Sequence, residues 1–206
     1  MSIEVWIAFV VASSVLLAVP GPTVMLLVSY ALGHGKQTAW ATVPGVALGD
    51  FTAMTASLLG AGAVLATSAT LFTLLKLAGA AYLIWLGIGL WRADPKLTGL
   101  ENTNPGTGST SMFWHAYIVT ALNPKSIVFF VAFVPQFVDP GSAALPQFVI
   151  LEATFLLLAA IGAVVWAILA GNLRDRFKRP ETLRKVNRAG AGFLIGAGLL
   201  TAATQR

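Results

Sequence analysis

The 206-residue chain contains no cysteine, only two histidines and few charged residues. Without cysteine there is no disulfide, no thiolate chemistry and no iron–sulfur or zinc site built on cysteine. Two histidines, His34 and His115, argue against a haem or a histidine-based metal cluster, and we expect no cofactor and no metal. Only 10% of the residues are charged, whereas a soluble domain has about 25%.

The chain is rich in apolar residues. Its residues are 57% hydrophobic and the mean hydropathy is +0.80, a composition that could not cover the surface of a soluble protein. We therefore predict an all-α integral membrane protein. A spanning helix needs about 20 mostly apolar residues, and six segments qualify: roughly 3–33, 38–66, 70–91, 113–138, 143–171 and 189–205. The first segment lacks the basic residues that begin a signal peptide, so we interpret it as a membrane helix.

The connections between these segments differ in charge. Segment 92–112 is rich in Gly, Pro, Ser, Thr and Asn, which is typical of a flexible linker. Arg206 is the only base on one side, whereas the first, third and fifth connections carry Lys36, Arg92, Lys96, Arg174, Arg176, Lys178, Arg179, Arg184, Lys185 and Arg188. This bias predicts that these connections face the cytoplasm and that both termini lie outside. The basic segment 172–188 fits an orienting loop better than a nucleic-acid site.

The second half of the chain repeats the first at an offset of 102 residues. Without a gap, the offset aligns Pro22 with Pro124, Pro44 with Pro146, Asp50 with Glu152 and Thr52 with Thr154. We predict a single domain, 1–206, made of two three-helix halves, 1–91 and 113–206, joined by the linker. Three crossings per half would invert the second half, and inverted repeats with broken helices are typical of secondary transporters.

Four charged residues fall within the predicted spans: Asp50, Lys76, Lys125 and Glu152. Each costs about 2.5–3.5 kcal/mol at the centre of a membrane helix, so they should face one another or a wet cavity. We interpret Asp50 as a proton or ammonium site and Lys125, near the middle of its span, as functional. Glu152 lies nearer its helix start and fits an interfacial position about as well. For Lys76 we expect a side chain that snorkels outward.

Prolines interrupt the first and fourth spans at Pro20, Gly21, Pro22 and at Asn123, Pro124, Lys125. Each proline removes a helical hydrogen bond, which frees the carbonyls of Leu16, Ala18 and Thr120. Free N–H groups at the start of a new half-helix suit a carboxylate, and freed carbonyls suit an ammonium group. A packing kink is the alternative, but two breaks at repeat-related positions favour a site. The spacings "GVALG" (45–49) and "GFLIG" (192–196) indicate close helix packing, and such surfaces allow a homodimer.

Three stretches resemble the lysine exporter superfamily and, among its branches, the homoserine/threonine exporters (LysE/RhtB). They are "PGPTVMLLVSYALGHGKQTAWATVPGVALGD" (20–50), "LKLAGAAYLIWLGIGLWR" (75–92) and "ALNPKSIVFFVAFVPQFV" (121–138). The resemblance implies a bacterial inner-membrane exporter of amino acids driven by proton exchange. By position, the family motifs fall on Pro20, Gly21, Pro22, Gly45, Gly49, Asp50, Asn123, Pro124 and Lys125. The chain departs at Thr23, where the family commonly has asparagine; the polar group is shorter and lacks an amide.

The leading hypothesis is a secondary transporter with the substrate between the two halves. Lys125 or a half-helix N-terminus would hold the substrate carboxylate, and Asp50, with or without Glu152, would hold the ammonium or exchange the proton. A channel built on the same halves is the second hypothesis. A membrane-embedded enzyme or an accessory subunit is the third, and the enzyme is disfavoured because no nucleophile–base pair is evident.

Overall fold

The computed structural model describes residues 1–93, 108–139, 141–172 and 180–203, and every regular element in these ranges is helical. Most of the predicted linker (94–107) and part of the predicted basic loop (173–179) lie outside the described residues. The main helices are α1 (Ile3–Ala18), α2 (Pro22–His34), α3 (Ala39–Thr67), α4 (Ala69–Arg92), α5 (Ser109–Ala121), α6 (Pro124–Val128), α7 (Ala144–Asn172) and α8 (Pro180–Ala203). A 3₁₀ turn, Lys36–Thr38, precedes α3, and α6 continues as a π-helical turn, Phe129–Phe133, and a 3₁₀ turn, Val134–Phe137.

Two of the predicted spans are broken where the prolines stand. Residues 19–21, here called the first break, separate α1 from α2, and the axes of the two helices differ by 54°. Residues 122–123, the second break, separate α5 from α6 and its continuation, with a bend of 40°. Pro22 and Pro124 each occupy the first position of the helix that follows, where the missing N–H costs no hydrogen bond.

The protein is a multi-pass membrane protein in composition and helix length. Three helices are long and apolar enough to cross a bilayer, and each of the two bent pairs would add one more span. Large apolar side chains such as Leu59, Trp85 and Leu157 are exposed over the helix surfaces, as expected where lipid replaces water. The sixth span, 189–205, stays a prediction, because α8 does not satisfy the same criteria within the described residues.

Two helix starts differ from the sequence prediction. Helix α5 begins at Ser109 rather than at 113, and α8 begins at Pro180 rather than at 189. Part of the segment predicted as a basic loop is therefore helical. Hydropathy detects only the apolar part of a helix, whereas Pro180 at the start and good helix formers such as Arg184 and Lys185 extend α8 toward its N-terminus.

Glycines set the closest helix contacts. Helix α3 packs along α5, where a Cβ on Gly45 would lie 2.4 Å from the Phe113 carbonyl oxygen and one on Gly49 would lie 2.8 Å from that of Tyr117. Packing by the segment 45–49 is thus confirmed.

The packing prediction for the segment 192–196 is wrong in the described part of the chain. A Cβ on Gly192 or Gly196 meets nothing within 4 Å. Two residues away on either side, Gly190 and Gly198 make the close contacts instead. A Cβ on Gly190 would lie 2.7 Å from the Val19 side chain, and one on Gly198 would lie 2.7 Å from the Ala80 carbonyl oxygen. Helix α8 does pack closely through glycines, but the spacing in the sequence pointed to the wrong pair, because it does not tell which glycines face a neighbouring helix.

Candidate functional site

The two breaks face each other in the interior of the helix bundle. The side-chain amide of Asn123 donates a hydrogen bond to the hydroxyl of Thr23 at 3.2 Å. The hydroxyls of Thr23 and Thr120 are also within hydrogen-bond distance, at 3.2 Å. Asn123 additionally caps α6, because its side-chain oxygen accepts from the backbone N–H of Lys125 at 3.1 Å. One asparagine therefore both starts the second half-helix and fastens it to the first.

Lys125 reaches across to the end of α1. Its ammonium nitrogen donates to the carbonyl oxygens of Leu16 at 3.0 Å and Val19 at 2.9 Å. The Leu16 carbonyl is the one that Pro20 leaves without its helical donor, and the C-terminal end of a helix carries a partial negative charge. Gly21 makes room for this contact, since a Cβ there would lie 3.3 Å from the ammonium nitrogen.

Asp50 supplies the opposite charge from α3. Its side chain is buried, with 3% of its surface exposed, and it interacts electrostatically with Lys125. The close contact of neighbouring Gly49 with α5 fixes this part of α3 against the second half of the chain. A buried acid and a lysine thus share one interior region, as the cost of charge in a membrane helix requires.

A cavity of about 30 Å³ lies between these groups. Since roughly 10–15 Å³ suffices for one water, it has room for about two. Helix α7 contributes one face to it through Ala159, Gly162, Ala163 and Trp166, spaced as neighbours on a helix surface. The other lining residues come from the two breaks and the helices beside them: Leu16, Leu17, Gly21, Thr23, Val24, Leu27, Val46, Asp50, Asn123, Lys125 and Ser126.

The structure brings together five of the nine residues that the sequence singled out: Gly21, Thr23, Asp50, Asn123 and Lys125. Pro20, Pro22 and Pro124 shape the breaks without lining the cavity. Glu152 does not line it either.

Glu152 lies instead in the contact between α3 and α7, where its carboxylate accepts a hydrogen bond from the Thr55 hydroxyl at 2.5 Å. Trp6 of α1 bonds to the Thr154 hydroxyl of α7 at 3.1 Å nearby. The acidic residues that the repeat pairs, Asp50 and Glu152, therefore have different surroundings. The alignment of the two halves of the sequence cannot reveal this, because it pairs positions but does not show which neighbouring helix packs against each of them.

The expectation that Lys76 snorkels outward is wrong. Its side chain is buried, with 7% of its surface exposed. Lys76 precedes Gly79 and Ala80 by one turn, and those residues contact Ala132 and Gly198 in neighbouring elements. Lys76 therefore shares the inner face of α4. The sequence showed that Lys76 lies about two turns into the helix, but not on which side of the helix its side chain lies.

Three polar features of the site region were not anticipated. The Val19 carbonyl is one, because its role depends on the contact with Lys125. Trp166 is another, and its only sequence signal was a large aromatic residue five residues before the end of the predicted segment 143–171. Two turns along α2 from Thr23, the Tyr30 hydroxyl lies 2.8 Å from Nδ1 of His115 on α5, so α2 and α5 are joined a second time.

Comparison with known proteins identifies the family. Residues 14–205 match the model of the LysE type translocators. The chain belongs to this family. It is 33% identical to the homoserine/homoserine lactone efflux protein of Salmonella typhi, with 98% of each chain covered. It is also 34% identical to a membrane protein of Vibrio cholerae over 98% of each chain. No solved structure matches the chain.

A second kind of efflux protein is also related to this LysE family member. The leucine efflux protein of Enterobacter sp. (strain 638) is 26% identical over 90% of this chain and 87% of that protein. The relatives thus carry names with different amino acids. The resemblance to the lysine exporter superfamily drawn from the sequence is confirmed.

Proposed function

We propose that the protein is a secondary active transporter that exports an amino acid or a close derivative from the cytoplasm by proton antiport. The observation that carries this proposal is the meeting of two proline-broken helices around a cavity with Asp50 on one side and Lys125 on the other. Broken helices with charged groups at their ends are the usual substrate sites of such transporters. Membership of the LysE family and the efflux relatives support export over channel activity.

The proposed architecture is six spans arranged as two inverted three-helix halves. Equal helix lengths support it: α3 and α7 both have 29 residues, and α4 and α8 both have 24. The contacts also correspond, because α3 packs on α5 as α7 packs on α1. The distribution of lysine and arginine supports a bacterial inner-membrane protein with both termini on the periplasmic side.

In the proposed chemistry, the carboxylate and the ammonium of the substrate bind to different groups around the cavity. The substrate carboxylate would bind Lys125 or the N–H groups at the start of α2 or α6, where the helix dipoles are positive. The ammonium would bind near Asp50, which would also take up and release the exchanged proton. Because the cavity has room for about two waters, loading an amino acid requires the helices or side chains around it to move.

Uptake into everted membrane vesicles tests the proposal. In these vesicles the cytoplasmic face is outside, so an exporter loads them when the interior is made acidic. We expect labelled leucine, homoserine or a related amino acid to accumulate above its external concentration, and a protonophore to abolish the accumulation. Vesicles lacking the protein are the control. Flux that only equilibrates the label across the membrane would indicate a channel. If none of the labelled amino acids shows uptake that depends on the protein, the proposed function is contradicted.

A further inference from the structure

We propose that the carbonyl oxygens of Leu16 and Val19 form the binding site for the ammonium group of the transported amino acid, and that Lys125 occupies this site as an internal competitor until the substrate displaces it. This inference rests on the proposed function and refines it. It moves the substrate ammonium from Asp50 to these two carbonyls and leaves Asp50 the exchanged proton. Lys125 becomes a resident occupant of the cation site rather than a fixed ligand of the substrate carboxylate.

The site is built to bind a primary ammonium group. Both N···O distances, 3.0 and 2.9 Å, are within the ordinary range for an N–H···O hydrogen bond. The carbonyls lie at the C-terminal end of α1, where the helix dipole is negative. The Leu16 carbonyl lacks the donor that Pro20 would have supplied and accepts from the backbone N–H of Val19 at 3.2 Å. The side chain of Lys125 and an amino acid both carry a primary ammonium group, so a site that holds one has the chemistry to hold the other.

Lys125 as it lies cannot serve a carboxylate fully. Two of the three N–H donors of its ammonium are directed to main-chain carbonyls at the first break. A lysine that functions as a fixed carboxylate ligand would need these donors to be available. The carboxylate would find a free ammonium only after Lys125 has left the carbonyls of Leu16 and Val19.

Displacement of the Lys125 ammonium makes space for the substrate and keeps the charges at the site balanced. The side chain of Lys125 lines a cavity with room for about two waters, so its withdrawal enlarges the space at the break. Lysine has a flexible four-carbon stem, and Asp50 offers its ammonium a second charged neighbour. The incoming ammonium replaces a cation at the carbonyls, and the substrate carboxylate compensates the charge of the released lysine.

The inference specifies a substrate class. The ammonium group is required, since it alone can take the place of Lys125, whereas a free carboxylate is helpful but not essential. We therefore expect amino-acid esters and lactones to compete for the site and N-acetylated amino acids not to compete. One relative is named as an efflux protein for both homoserine and homoserine lactone, which differ in whether a free carboxylate is present.

The test compares the wild-type protein with Lys125→Met, which keeps an unbranched stem of similar length and removes the cation. If Lys125 occupies the site about 90% of the time, its removal strengthens substrate binding about tenfold. We expect the Kd of the purified variant for homoserine or leucine to fall by this factor, while turnover in vesicles falls. Weaker binding by Lys125→Met would overturn the inference and return Lys125 to the role of carboxylate ligand.

Methylammonium, which is the ammonium group alone, gives a readout that does not depend on the substrate. It should raise the Tm of Lys125→Met in a saturable way, and it should raise the Tm of the wild type only at about tenfold higher concentration, because Lys125 competes for the site. No response from Lys125→Met would contradict the inference. If the methylammonium response is present but no amino acid is transported by the wild type, the proposed function fails while the cation site stands.

A second variant covers the case in which Lys125→Met does not fold. In Gly21→Ala, the added methyl group would lie 3.3 Å from the ammonium nitrogen of Lys125 and 3.4 Å from its Cε. The backbone of Gly21 is extended, so alanine fits it without strain. This variant should weaken the hold of Lys125 and lower the Kd for the amino acid less than Lys125→Met does. An unchanged or higher Kd would count against the internal competitor.

Discussion

Asn123 in the second half of the chain donates a hydrogen bond to Thr23 in the first half, with 3.2 Å between the amide nitrogen and the hydroxyl oxygen. This bond joins the first turn of α2, directly after the first break, to the second break. The Thr120 hydroxyl, 3.2 Å from that of Thr23, extends the connection into α5. A movement of one half-helix is therefore coupled to the other through a short polar chain, which gives two broken helices a means of acting together during transport.

Thr23→Val should uncouple the breaks. Valine has nearly the shape of threonine but neither accepts from Asn123 nor bonds to Thr120, so a buried amide loses its partner at a cost of about 1–3 kcal/mol. We expect a lower Tm in detergent and a strongly reduced rate of uptake into everted vesicles. Thr23→Ser, which keeps the hydroxyl, is the matched control and should retain most of the rate. Equal rates for the two variants would show that the bond has no role in transport.

The sequence located the breaks, Asp50 and Lys125 because each involves a residue type that is costly inside an apolar helix. A charged residue in a membrane helix must lie in the interior of the bundle or beside water, because its exposure to lipid is costly. The sequence did not predict whether a given side chain lies on the lipid-facing or the interior side of its helix. Lys76 turned out to be buried, and Glu152 contacts Thr55 rather than the cavity, because only the packing of neighbouring helices decides which face is covered.

Asp50→Asn tests the proposed proton exchange. Asparagine has nearly the same size as aspartate and keeps one acceptor oxygen, but its amide does not take up and release a proton. Accumulation driven by the pH gradient should therefore be lost, while the protein remains folded in the membrane at near wild-type levels. The comparison is uptake of the same labelled amino acid at several imposed gradients. Accumulation at the wild-type rate with the same dependence on pH would show that Asp50 does not exchange the proton.

Gly45→Ala should separate α3 from α5. The added Cβ would lie 2.4 Å from the Phe113 carbonyl oxygen and 3.0 Å from the Ala116 Cβ, and overpacking of this kind costs typically about 1–3 kcal/mol. We expect a clear fall in Tm and in the amount of folded protein. Gly62→Ala, in the same helix but with nothing within 4 Å of the new Cβ, is the control. It should be neutral or slightly stabilising, because alanine favours a helix over glycine by about 1 kcal/mol.

Glu152 and Thr55 give a prediction that separates structure from transport. We expect Glu152→Gln to keep gradient-driven uptake, in contrast to Asp50→Asn, because the glutamine amide oxygen can still accept from the Thr55 hydroxyl. Thr55→Val should instead lower the Tm, since the glutamate then loses its partner between α3 and α7. Uptake in vesicles and thermal unfolding in detergent, measured on all three variants, distinguish the two roles. Loss of gradient dependence in Glu152→Gln, with its Tm unchanged, would place Glu152 beside Asp50 in the proton pathway.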